Sequence, residues 1–407
     1  MTSQETNGDL ECKKVEVESD VKPKIPAWLD EAFFEDIFVD KQQLEQGKFK
    51  VKIKALVPTG GAGENYTSLL YRADVDAECE DGTVKNLRLI LKAMISNPDL
   101  KQFSVFVKEK TAYEQLLPTL EKLWAATGTS VSFGPLAGRR WTEMWRSLCW
   151  MICARKATRL RTASLVPIGT MLVSCWLSWR NSMGMVQEEG KPLFEQYIKL
   201  VEPVFLKSIE AWPGHEVYQR KMSKALQGLF YKMMEATAKV DTDFVTLCHG
   251  DVWTNNHMYH YQGTDEPDDA LLIDLQGPYY GSPVCDLYYY LISSTTLDLK
   301  TSQFEELIQY YHSCLVDSLQ KLDYPERIPS LRDFRIEMLK RGFFATQCLF
   351  GILPVVLADK NENANFDGFF GETEENVKFK NDVYNNPLYQ LHLKPLLKMF
   401  DLWGLLE

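Results

Sequence analysis

What this sequence lacks narrows it before any motif is read. It opens without an apolar leader: MTSQETNGDLECKKVEVESDVKPK is polar and acid-rich, so residues 1–25 read as a disordered tail. No apolar run suits a bilayer crossing, because the best candidate, LVPIGTMLVSCWLSW, is short and interrupted. Positive charge is in deficit, with 45 Lys and Arg against 56 Asp and Glu. The resulting net charge of -11 argues against a nucleic-acid binder, which needs a basic face. The nine Cys form no CxxC pair, which predicts reduced thiols in a cytoplasmic protein. His249, His257 and His260 have no evident fourth ligand for zinc, and GSPVC lacks the GxSxG elbow of a hydrolase. There is no internal repeat, and no feature calls for an obligate protein partner.

What is present suits a protein of two lobes. At 407 residues and 45% hydrophobic, the chain can bury two substantial cores. After Pro26, Trp28, Phe33, Phe34 and Ile37 recur at helical spacing. KFKVKIKALVPTG alternates as a strand does, and YTSLLYRADVDAE and VKNLRLILKAMI are two further strands about the turn EDGT. FSVFVKEKTAYEQLLPTLEKLW reads as a helix. These elements place a small sheet-bearing lobe at residues 26–136. From residue 186 to 407 the pattern is mostly helical, apart from residues 247–291, which read as short strands joined by polar loops. The expected class is α+β, a small antiparallel sheet followed by a helical lobe.

The chemistry concentrates in HGDVWTNN and the later LLIDLQ. Asp251 and Asn256 lie five apart, and Asp274 follows Asp251 by 23 residues across a hairpin-like turn. Phosphoryl transfer needs a carboxylate to orient the attacking hydroxyl, and an amide oxygen plus a second carboxylate to hold Mg²⁺. Asp251 is the candidate base, and Asn256 and Asp274 are the candidate metal ligands. His249 is the candidate structural support within the motif. The Gly-rich turn TGGAGENYTSLLYR offers Gly60, Gly61, Gly63 and Asn65, where backbone N–H groups could approach the phosphates of ATP. Lys92 closes an apolar strand, and Glu109, 17 residues on, is its candidate partner. The aromatic run Tyr288, Tyr289, Tyr290 reads as helix packing.

HxDxxxxN resembles the catalytic loop of protein kinases, and Gly after the His is similar to aminoglycoside phosphotransferases and choline kinases. PAWLDEAFF, GAGENYTSLLYR, LILKAMI, LCHGDVWTNN, LLIDLQ, GSPVCDLYYYL and LKPLLKMFDLWGLLE together resemble the ecdysteroid kinase-like family, from about residue 26 to the C-terminus. The resemblance implies a two-lobed protein-kinase-like fold and ATP- and Mg²⁺-dependent phosphorylation of a hydroxyl on a small lipophilic or steroid-like molecule. It implies that Lys92 serves the phosphates and that Asp286 braces the catalytic loop. A catalytically impaired pseudokinase or a small-molecule binding protein is the alternative.

One stretch departs from that pattern. Where the family has a strand ending like LVLEDL and a helix containing LAKFHA, residues 137–185 carry seven Arg and five Trp and neither motif. The genetic code offers an account. Cys149-Trp150-Met151-Ile152-Cys153 must be encoded TGY TGG ATG ATH TGY. Read from the third base, this becomes YTG GAT GAT HTG, that is Leu-Asp-Asp-Leu or Leu-Asp-Asp-Met. In the same frame, CWLSWRNS permits L-A-K-L-A-K-F-H. Residues 137–185 are therefore expected to be an out-of-frame segment, poorly ordered, with the frame restored before VQEEGKPLF; a membrane-binding or basic docking insert is the rival reading.

Overall fold

The computed structural model describes residues 25–42, 44–59, 68–94, 109–130, 133, 191–238, 244–263, 267, 269–359 and 366–406. The described chain falls into two compact units, one comprising residues up to 59 and 69–93, the other Ser68 and the residues from Met94 onward. Stretch 137–185, Gly60, Gly61, Gly63 and Asn65 lie outside the described residues.

The first unit joins one helix to an antiparallel sheet. Helix α1 (Glu31–Gln42) starts where the Asp30 carboxylate accepts the Phe33 N–H at 3.0 Å, satisfying one of the donors that a helix start leaves bare. Strands β1 (Phe49–Thr59), β2 (Ser68–Cys79) and β3 (Val84–Met94) follow in the spatial order β1-β2-β3. Alternation puts Tyr71, Ala73, Val75 and Ala77 on one buried face of β2, and the last three share a core with Phe34, Phe38 and Phe49. The turn EDGT forms as its residues dictate: Gly82 sits at φ 81°, and Asp81 Oδ1 accepts the Thr83 N–H at 2.9 Å.

The β1–β2 register runs from Phe49↔Cys79 to Thr59↔Leu70 and slips between Ile53 and Ala55, leaving Lys54 as a bulge. Its ammonium lies 2.5 Å from Asp76, which also accepts the Asn86 Nδ2 at 2.8 Å from β3. Lys54 first, and then Asn86, hold the Asp76 carboxyl below its usual range. One buried carboxylate thus clasps all three strands.

The second unit is mostly helical. Helical residues 109–126 (α2) contain a π-helical turn at Ala112–Leu116 and continue through Leu117–Ala126. Helices α3 (Lys191–Ser208), α4 (His215–Leu226) and α5 (Leu229–Thr237) precede four short strands, β4 (Thr246–Cys248), β5 (His257–His260), β6 (Asp269–Leu272) and β7 (Tyr279–Gly281). β4 pairs antiparallel with β7, and β5 with β6. Helix α6 (Pro283–Ser294) opens on Ser282, whose hydroxyl accepts the Val284 N–H, with Pro283 in the first turn. Val284, Cys285, Leu287, Tyr288, Leu291 and Ile292 are all buried, so α6 is enclosed on more than one side. The same core holds Phe205, Phe350, Tyr389 and Phe400. Truncating a side chain such as Leu291 there costs about 2–5 kcal/mol. Further helices, among them Phe304–Lys321 and Pro387–Leu402, complete the unit. No single helix among the described residues is long and apolar enough to cross a membrane.

Candidate active site

The HGD loop leaves β4 and is bound from below by α6. Asp286, one turn into that helix, takes the His249 backbone N–H on one carboxylate oxygen at 2.6 Å and that of Gly250 on the other at 3.1 Å. Burial pushes the Asp286 carboxyl above its usual range, and the nearby His249 imidazole and the two N–H groups pull it part of the way back. The His249 ring is held on both edges. Its Nδ1 accepts the Asp251 N–H at 3.2 Å, so Nε2 bears the proton and donates to the Ile273 carbonyl at 2.8 Å. His249 therefore locks the loop to the segment after β6.

Gly after His has a steric cause. Gly250 sits at φ +81°, and a Cβ built there would lie 2.1 Å from the Gly277 carbonyl oxygen. Only glycine permits both the left-handed backbone and that approach.

The β5–β6 hairpin brings the two distant parts of the motif together. Its register pairs His257 with Leu272, so Asn256 and Ile273 stand opposite one another just beyond it, and the Ile273 N–H donates to the Asn256 carbonyl at 2.9 Å. Asp274 is the next residue and adopts φ 64°, a left-handed conformation for a non-glycine side chain. Its N–H donates to the Tyr113 hydroxyl on α2 at 3.0 Å, and its carbonyl accepts the Gln276 N–H at 2.8 Å. The two bonds hold a conformation that costs roughly 1–3 kcal/mol. Leu275, beside it, is buried against Leu116, Leu120 and Trp124 of α2.

Three donors surround the Asp251 carboxylate. Oδ1 accepts the Tyr289 hydroxyl at 2.7 Å, while Oδ2 accepts Asn256 Nδ2 at 3.0 Å and Gln276 Nε2 at 3.4 Å. Asn256 Nδ2 also reaches the Asp251 carbonyl at 2.7 Å. With its nitrogen committed to Asp251, buried Asn256 keeps Oδ1 as the end of its amide that can meet a cation. Asn256 Oδ1 and the Asp274 carboxylate fit Mg²⁺, which takes one or two protein oxygens and completes its shell with phosphate and water. Among the described residues no group of three or more His, Cys, Asp or Glu could hold a metal by itself.

The structure thus gathers His249, Asp251, Asn256 and Asp286 into one bonded loop, with Asp274 one residue beyond Ile273. Glu109 is buried at the start of α2, one helical turn before Tyr113. Lys92 lies near the end of β3, partly buried, in the other unit. Sequence reasoning overlooked Tyr113, Gln276 and Tyr289. Of the aromatic run, Tyr288 and Tyr290 are core residues as expected, but the Tyr289 hydroxyl binds Asp251. The DLQ spacing placed Gln276 within reach of the site; nothing local marked the two tyrosines.

No curated protein matches the chain. Among solved structures, the choline kinase of Cryptosporidium parvum Iowa II is similar at 12% identity and a TM-score of 0.31, covering 92% of this chain and 98% of that chain. The ecdysteroid kinase-like family matches residues 62–139 and 180–324, which together are more than half of the sequence and take in the HGD loop, the hairpin and α6. The chain belongs to the ecdysteroid kinase-like family.

Proposed function

We propose that the protein is a kinase that transfers the γ-phosphoryl group of ATP to a hydroxyl of a small lipophilic or steroid-like molecule. The observation that carries this reading is the Asp251 carboxylate, fixed by three donors beside an amide and a second carboxylate suited to Mg²⁺. Asp251 orients the acceptor alcohol and takes its proton as the alcohol oxygen bonds to the γ-phosphorus. The bond from that phosphorus to the β,γ-bridging oxygen breaks, and its electron pair leaves with ADP. Mg²⁺, when bound, offsets the phosphate charge. Asn256 and Asp274 are its proposed ligands, and Lys92 and the Gly60, Gly61, Gly63 and Asn65 turn the proposed contacts for the phosphates. Asp286 and His249 hold the loop that presents Asp251. The acceptor class rests on family membership; a steroid-like alcohol is the first substrate to try.

The test is incubation with Mg-ATP and a panel of hydroxylated small molecules, moulting steroids included, with mass spectrometry for the phosphate ester. Asp251→Asn is expected to lower transfer by ~10²–10⁴-fold and leave nucleotide binding nearly intact. Nucleotide binding without transfer to any alcohol would instead favour a pseudokinase.

We infer further that residues 137–185 are an out-of-frame reading of the family's inter-lobe segment. The forced Leu-Asp-Asp reading supports this, as does the family match, which passes over residues 140–179 and resumes after them.

A further inference from the structure

Helix α6 reaches the HGD loop at two points. Asp286 binds the loop backbone, and Tyr289, three residues on, binds the Asp251 side chain. A phenol three residues from an acid on a helix lies on the same face, so the enclosed helix presents both groups to the loop together. The Tyr289 ring packs against the helical core, leaving little freedom for its hydroxyl. Burial first, and then the charge of Asp251, push the Tyr289 phenol well above its ordinary range, so the proton stays on the phenol and the phenol is the donor.

An ionised carboxylate has roughly four lone-pair directions. On Asp251, Asn256 and Gln276 take those of Oδ2, and Tyr289 takes one on Oδ1. The direction left over is the second lone pair of Oδ1. We propose that Tyr289 is a positioning residue for the transfer reaction: its hydroxyl fixes the rotation of the Asp251 carboxylate, so that the acceptor alcohol docks on the remaining lone pair of Oδ1, beside the phenol. The inference rests on the kinase reading above. Without the phenol, Oδ1 regains a second open direction and the carboxylate loses one of its three restraints. The alcohol then spends less time aligned for attack, whereas the nucleotide, which Tyr289 does not touch in this account, binds as before.

The experiment is a double-mutant cycle in the full-length chain, with transfer to the best acceptor alcohol as readout. Tyr289→Phe is expected to lower kcat by roughly tenfold or more with the KM for ATP unchanged. In an Asp251→Asn background, the same change is expected to alter the residual rate by less than about twofold, because the group it positions is gone. Thermal denaturation of Tyr289→Phe, expected within a few degrees of the native chain, separates positioning from folding. Equal loss in both backgrounds, or full activity in Tyr289→Phe, overturns the proposal while the kinase reading stands. Absence of transfer to every alcohol, both by the chain as written and by one carrying the restored segment, overturns both.

Discussion

The hydroxyl of Tyr113 accepts the backbone N–H of Asp274 at 3.0 Å, joining residues 161 positions apart. It makes helix α2 the support for a left-handed turn that carries a proposed metal ligand. Burial above all, and then the nearby Glu109, push the Tyr113 phenol up, so it stays protonated near neutrality. Tyr113→Phe leaves the Asp274 N–H without its partner, a loss of about 1–3 kcal/mol. The expected outcome is a lower thermal midpoint together with a raised Mg²⁺ requirement for transfer, read by denaturation and by Mg²⁺ titration of activity. An unchanged Mg²⁺ requirement would mean that the turn holds its shape unaided.

Gly250→Ala tests the loop's backbone. The new methyl meets the Gly277 carbonyl oxygen and forces an alanine to φ +81°. The left-handed conformation alone costs roughly 1–2 kcal/mol, and the displaced carbonyl adds to it. We expect a urea midpoint reduced to match and transfer lowered by at least about tenfold. A variant as stable and active as the native chain would show that the Gly277 segment yields freely.

His257 sets a response to acid. Its Nδ1 pairs with the Trp253 carbonyl at 2.8 Å, and its buried Nε2 has no hydrogen-bond partner among the described residues. Burial first, and the nearby His249 as well, against the opposing pull of the Trp253 carbonyl, lower its pKa from 6.5 to about 4. A folded-state value below the unfolded one means that this stability is present above pH 6.5 and is lost as pH falls from about 6.5 towards about 4. The contribution is on the order of 3 kcal/mol. Urea midpoints measured from pH 7 to pH 4 should fall, and His257→Gln should flatten that decline. A slope as steep in the variant would put the acid sensitivity elsewhere.

The transcript across residues 137–185 is a further check. Resequencing is expected to restore one reading frame that encodes Leu-Asp-Asp followed by Leu or Met where Cys149 to Cys153 now stand. A chain carrying the restored segment is expected to bind ATP more tightly than the chain as written. A transcript that confirms the present frame, with no gain in binding on restoration, would make the segment a genuine part of the protein.

The elements legible in the sequence are those whose causes are local. Alternation in β1 to β3, the EDGT turn, and the spacing from HGD through Asn256 to Asp274 all follow from residues close together along the chain. The hairpin itself converts the 23-residue separation of Asp251 and Asp274 into proximity. Asp286 was reached only through family resemblance, since an acid near a helix start is ordinarily a dipole partner facing solvent. Tyr113 and Tyr289 were beyond sequence reading for a physical reason. An aromatic at helical spacing carries the same apolar pattern whether its hydroxyl meets a core carbonyl, as Tyr288 meets that of Met338, or the carboxylate of the proposed base, as Tyr289 meets Asp251. The sequence determined which carboxylate and amide could do the chemistry. Only the packing of α2 and α6 against the loop decided which hydroxyls would hold them, because a hydrogen bond depends on where two distant segments place a few atoms, and periodicity says nothing of that.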